Sequence, residues 1–249
     1  QQNPNKDKSA IEALQNQAIA STLKRVKYKL FVMSGKGGVG KSSIAVNLAV
    51  ALAEKGYKTG LLDVDIHGPN VPHLLGIRGL LDWEDGSLIQ PKQFSPNLSV
   101  VSIESLLKDP DQAVLWRGPL KTSAIRQFIA DVDWGDLDYL VIDSPPGTGD
   151  EPMTVLKTIP EALSIVITTP QRVSLNDVRK AINFLQHAKA NILGIVENMS
   201  GFYCPYCQKD ISLFKAGGGK ELAERLDLDF LGAVPLDPAS VVAGDLGQP

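Results

Sequence analysis

Tyr28-Lys29-Leu30-Phe31-Val32-Met33-Ser34-Gly35-Lys36-Gly37-Gly38-Val39-Gly40-Lys41-Ser42-Ser43 is the stretch that decides the fold. Its first seven residues are a short apolar run rich in β-formers. The next eight satisfy the pattern G-x-x-x-x-G-K-[ST], and from Ile44 to Ala53 apolar residues recur at helical spacing. A glycine-rich loop between a buried strand and a helix N-terminus is built for anions. Its backbone N–H groups, from Gly35 through Ser43, converge on one point, and the helix adds its positive dipole end. In such a loop Lys41 reaches the β- and γ-phosphates of a nucleotide and the Ser42 hydroxyl ligates Mg²⁺. A merely tight glycine turn is the bland alternative, and the strand–loop–helix setting disfavours it.

Outward from this loop the chain alternates strands and helices. Thr59-Gly60-Leu61-Leu62-Asp63 is a second buried strand, delivering Asp63 and Asp65 to the carboxyl edge of the sheet, where open α/β folds place ligands. Two carboxylates beside a phosphate loop suit the water shell of Mg²⁺ and activation of an attacking water, although a solvated turn capping the next helix has the same look. Asp138-Tyr139-Leu140-Val141-Ile142-Asp143 is another apolar strand ending in aspartate, followed by the stiff turn Ser144-Pro145-Pro146-Gly147-Thr148-Gly149-Asp150. It has the form of a Walker B, with Asp143 holding Mg²⁺ through water. Ala162–Pro170 and Ile192–Met199 are two further strands around a helix from Ser174 to Ala188. Near-continuous apolar strands interleaved with helices imply a single α/β P-loop NTPase domain over residues 27–249, with a mostly parallel sheet of about seven to eight strands covered on both faces.

Less regular stretches flank this core. Residues 1–26 read as a polar extension, with 1–9 disordered and a weakly amphipathic surface helix from Ala10 to Val26. Between Gly76 and Ser105, turns at Glu84-Asp85-Gly86 and Ser95-Pro96-Asn97 surround short strand-like runs at Ser87–Ile89 and Leu98–Ser102, a hairpin excursion. Pro119 marks the first turn of a helix from Leu120 to Ala130, and Arg117 just before it reads as a surface or salt-bridged arginine. Asn198, at a strand end, has the place of an ordinary turn residue, although its amide both donates and accepts and so could recognise adenine.

Composition narrows the function. The chain has 249 residues, 43% of them hydrophobic, ample for one large core. With 25 basic against 28 acidic residues it is no general nucleic-acid or membrane-surface binder. No apolar run is long enough to span a bilayer and the N-terminus is unlike a signal peptide, so a cytoplasmic protein is expected. Its two cysteines both lie in Cys204-Pro205-Tyr206-Cys207. In a reducing compartment that spacing argues for metal or redox chemistry. Two thiolates fill half of the four-ligand set that Zn²⁺ or an Fe–S cluster takes, and His67, His73 and His187 show no ligand spacing. A two-fold axis joining the same loop from two copies would complete a Cys₄ set.

Gly35-Lys36-Gly37-Gly38-Val39-Gly40-Lys41-Ser42 resembles the deviant Walker A of the ParA, MinD and nitrogenase iron protein class. Together with Asp63–Asn70, Val141–Asp150, Glu197-Asn198-Met199-Ser200 and the cysteine pair, it makes the chain similar to the Mrp/ApbC family of iron–sulfur carrier ATPases over about residues 25 to 246. The resemblance implies a homodimer that hydrolyses ATP slowly, holds a [4Fe–4S] cluster between paired Cys204 and Cys207, and delivers it to apo iron–sulfur proteins, with Zn²⁺ able to replace the cluster in air. It places Lys36 on the partner subunit's nucleotide, Asp63 in the Mg²⁺ shell, Asp65 on the hydrolytic water and Asn198 on adenine. Residues 1–26 contain no cysteine, so the additional N-terminal cluster of some eukaryotic relatives is not expected. Two other functions fit an ATPase of this class: a nucleotide-switched positioning protein, which needs a basic patch or a basic amphipathic helix that this chain lacks, and a dimer stapled by structural zinc.

Overall fold

The computed structural model describes residues 4–65, 68–81, 88–106, 118–204, 206–211, 213 and 216–249. In chain order the elements are α1 (Pro4–Lys24), β1 (Val26–Ser34), α2 (Lys41–Glu54), β2 (Thr59–Asp63), α3 (Val71–Leu74), β3 (Lys92–Ser95), β4 (Leu98–Ser102), α4 (Gly118–Asp131), β5 (Leu137–Asp143), α5 (Asp150–Thr158), β6 (Leu163–Thr168), α6 (Arg172–His187), β7 (Asn191–Tyr203), β8 (Asp210–Ile211), α7 (Gly218–Arg225), β9 (Phe230–Leu236) and α8 (Pro238–Asp245). The strands form one sheet in the order β3-β4-β2-β5-β1-β6-β7-β8, with β9 also paired to β7. Only β3 and β8 run antiparallel to their neighbours.

β1 sits centrally because both its faces are apolar. Leu30 and Val32 pack with Ala45, Val46 and Ala49 of α2 on one side, while Phe31 and Met33 join the core under α4, α5 and α6 on the other. Phe31 is fully buried, so truncating it to alanine would cost roughly 3–5 kcal/mol. The parallel register sets Asp63 of β2 directly beside Asp143 of β5, and Val32 of β1 beside Asp143 on its other edge. Three strand ends therefore meet where the glycine loop leaves β1.

Among the described residues the sheet has nine strands, mostly parallel, slightly more than expected; two-residue β8 is too short for any periodicity to reveal. β2 and β4 fall where the pattern puts them. The hairpin strand is β3, from Lys92, and Ile89 contributes only an isolated bridge to Val132. The Glu84-Asp85-Gly86 turn, Ser87, Arg117, Ile66 and His67 lie outside the described residues. Residues 4–9, expected to be disordered, belong to α1, and Val26 opens β1 instead of closing that helix. Polar composition hid this start, since Asn, Lys, Asp and Ser give no apolar period to follow. Of the apolar positions spaced along this helix Leu23 is buried and Ile11 and Leu14 are exposed, while Ile19 is buried as well. Among the described residues no helix is long and apolar enough to cross a membrane.

Candidate functional site

The glycine loop joins β1 to α2, and Gly40 stands at the N-cap of α2 with φ 78°, a left-handed conformation that favours glycine. Beside it opens a cleft of about 980 Å³, walled among others by Lys36, Lys41, Ser42, Ser43, Asp65 and Glu151. Gly37, Gly38 and Gly40 also line it. Gly35 instead lies against the backbone of Asp177 in α6, and Val39 is buried in the core under α2. The volume suits a nucleotide.

Behind the cleft wall lie the two aspartates. Asp63 and Asp143 are fully buried. Lys41 Nζ donates to Asp143 Oδ1 at 2.5 Å and to Ser42 Oγ at 3.1 Å. Asp63 accepts from the Asp65 amide and from Ser102 Oγ, each at 3.0 Å. Burial pushes the Asp63 carboxyl well above the ordinary carboxylate value, and the neighbouring Asp143 pushes it further. Burial raises Asp143 as well, against the pull of Lys41. Asp143 Oδ2 is buried with no hydrogen-bond partner. Two adjoining buried carboxylates, one with an orphaned oxygen beside a hydroxyl, form a set that a hard divalent cation would satisfy. Mg²⁺ therefore fits this corner. Asp65 is 6% exposed on the cleft's edge and accepts from the Gly68 amide at 3.3 Å. Lys36 is half-buried on the cleft wall.

Asn198 is placed behind the loop. Its Nδ2 donates to the Val39 carbonyl at 2.9 Å, and the side chain is 8% exposed and does not line the cleft. The adjacent Glu197 carries a role that the sequence did not announce. It is fully buried on the opposite side of β7, and its carboxylate accepts from Ser200 Oγ at 2.5 Å, the Gly217 amide at 2.8 Å and the Gly219 amide at 2.5 Å. The run Gly217-Gly218-Gly219 opens α7 as a second glycine-rich helix N-terminus, and this carboxylate already fills it. A Cβ on Gly219 would lie 3.0 Å from Glu197 Cβ, so the small residue permits the approach. The hint in the sequence was a glutamate directly after the apolar run Ile192–Val196.

β7 runs on past its expected end at Met199. Met199 (φ 56°) and Gly201 (φ 79°) kink it and shift its register against β9, after which Phe202 and Tyr203 pair with β8. Cys204 and Cys207 sit on the turn between these strands, closed by bonds from the Gln208 amide to the Cys204 carbonyl and from the Cys204 amide to Lys209. Cys204 is half-buried and Cys207 exposed, both as free thiols. The Cys207 amide, then that of Tyr206, lowers the Cys204 thiol pKa, which favours the thiolate a metal needs. Tyr206 beside them is 95% exposed. Among the described residues no three His, Cys, Asp or Glu side chains are grouped to hold a metal. His73 lines the cleft and His187 bonds Asn183, so neither joins the thiols.

Comparison with known proteins bears on both ends of this arrangement. The ParA family model, described as NUBPL iron-transfer P-loop NTPase, matches residues 25–249. An iron-sulfur cluster carrier protein from Methanocaldococcus jannaschii is 46% identical over 244 residues, 98% of this chain and 84% of that one. The cytosolic Fe-S cluster assembly factor Nubp2 homolog 2 of Drosophila yakuba is 48% identical over 228 residues, 89% of this chain and 88% of that one. A nucleotide-binding protein from Archaeoglobus fulgidus, solved in complex with ADP, superposes with a TM-score of 0.82 at 38% identity, covering 94% of this chain and 91% of the other.

Proposed function

Because the chain belongs to the NUBPL iron-transfer P-loop NTPase family, we propose that it is a slow, Mg²⁺-dependent ATPase that carries a [4Fe–4S] cluster between two copies of itself and passes it to apo iron–sulfur proteins. The observation that carries this is the cysteine loop: two thiols at the surface, one with its thiolate favoured, and no third ligand beside them among the described residues. Half a ligand set on an exposed turn becomes whole when a second copy meets it across a two-fold axis. A cluster so exposed exchanges readily, as cargo must.

At the other end, ATP would enter the cleft with its phosphates on the loop amides. Lys41 would turn from Asp143 to the β- and γ-phosphates, leaving both aspartates facing the cation site. Mg²⁺, held by Ser42 and, through water, by Asp63 and Asp143, would neutralise the triphosphate charge. Asp65 would orient the attacking water. Lys36 would cross to the partner's nucleotide, in the way an arginine finger supplied in trans acts. Asn198 holds the loop from behind; an adenine contact would have to use what remains of its amide.

The test is anaerobic reconstitution with iron and sulfide. The wild type should hold about two Fe and two acid-labile sulfides per subunit, and Cys204→Ser should lose both together with the visible absorbance. Zinc without sulfide in protein purified and assayed anaerobically would instead make the cysteines a structural staple.

A further inference from the structure

Glu197 and Asn198 are neighbours in β7, and successive strand residues point to opposite faces. On one face Glu197 bonds Ser200, four residues before Cys204, and the Gly217 and Gly219 amides, ten and twelve residues after Cys207 and beyond β8. One buried carboxylate thus closes the base of the segment carrying Cys204 and Cys207. On the other face Asn198 grips the P-loop through the Val39 carbonyl, so closely that a Cβ on Gly40 would lie 2.2 Å from its Nδ2. Through the Asn198–Val39 hydrogen bond the phosphate loop meets β7 six residues before Cys204, and Glu197 next to Asn198 holds the base of the thiol segment.

The strand changes character there. Met199 and Gly201 take left-handed φ values and the register against β9 slips between Asn198 and Phe202. An unbroken ladder would hold the cysteine turn to the sheet regardless of the P-loop, whereas a kinked strand lets the turn pivot about its anchored base. Phosphates held by the loop amides would bear on the Val39 carbonyl and, through its hydrogen bond, on the Asn198 amide.

We propose that Glu197 and Asn198 are positioning residues that set the grip of the Cys204–Cys207 loop according to what occupies the P-loop. This rests on the carrier reading above. The test measures release of iron from the reconstituted protein to a ferrous chelator, with and without Mg-ATP, in the wild type and in Glu197→Gln, a residue that does not line the cleft, with nucleotide affinity and iron content measured alongside. The expected result is a wild-type release rate that changes about fivefold or more with nucleotide, and a variant that loads iron and binds ATP yet releases at one rate in both conditions, because the amide side chain cannot accept all three bonds at the base of the cysteine segment. An equal response in wild type and variant overturns the coupling while leaving the carrier intact. A wild type that ignores nucleotide overturns the nucleotide-driven carrier and the coupling with it. Should the variant fail to fold, amide hydrogen exchange on the wild type decides. Protection at residues 199–204 and 216–219 must change when Mg-ATP binds, and unchanged exchange there refutes the coupling.

Discussion

Replacing Gly40 by alanine tests the contact on which the loop's rear wall depends. Two costs are separable in the structure. A residue with a Cβ at φ 78° pays about 1–2 kcal/mol for the left-handed conformation. The new methyl would also sit 2.2 Å from Asn198 Nδ2, forcing that side chain away and breaking its bond to Val39, which costs about another 1 kcal/mol. Gly38 is the internal control, because it has the same φ of 78° with nothing within 4 Å of a built Cβ. Gly40→Ala should therefore destabilise the protein by ~2–3 kcal/mol and Gly38→Ala by ~1–2 kcal/mol. In a chain of this size Gly40→Ala should lower Tm by roughly 4–12 °C. The assay is urea unfolding of nucleotide-free protein, run as a double-mutant cycle with Asn198→Ala. In the Asn198→Ala background, adding Gly40→Ala should cost no more than Gly38→Ala does. Equal costs for the two glycines in the wild-type background, or a full Gly40 cost with Asn198 already removed, would refute the contact.

Two further expectations concern the chemistry of the cleft. Asp63 has a folded-state pKa above the ordinary carboxylate value of 3.8, so its contribution to stability is intact below that value and is lost as pH rises through the raised one. Asp63→Asn should consequently gain stability relative to the ligand-free wild type as pH climbs from acid to mildly alkaline, while losing the extra Tm that Mg-ATP confers. A difference that shrinks with rising pH in thermal melts contradicts the cause assigned here. Lys36→Ala should keep nucleotide affinity and lower kcat by about 10³-fold in steady-state phosphate release, the scale of a cation supplied in trans; retained turnover would remove Lys36 from catalysis.

What sequence could disclose followed from local pattern. The P-loop is contiguous, and β2 and β5 deliver Asp63 and Asp143 to one edge because apolar strands ending in aspartate are visible without knowing what they pair with. Residues whose partners are distant were harder to read. Lys41 and Asp143 are 102 positions apart, and Glu197 meets amides 20 and 22 residues on, so neither bond leaves a periodic trace. The orientation of Asn198 depends on which strand face is turned to the loop, and a one-residue change of register would have reversed it. The extension of β7 was hidden by Ser200 and Gly201, which look like a stop and are instead a kink followed by renewed pairing.

Completion of the thiol pair by a second copy of the chain is what the proposed carrier role depends on. Native mass measurement on protein reconstituted without oxygen, in the presence of Mg-ATP, tests it together with the iron count. A dimer carrying about four Fe, with the monomer fraction free of cluster, is the expected result; a monomer that carries its full complement of metal would contradict it.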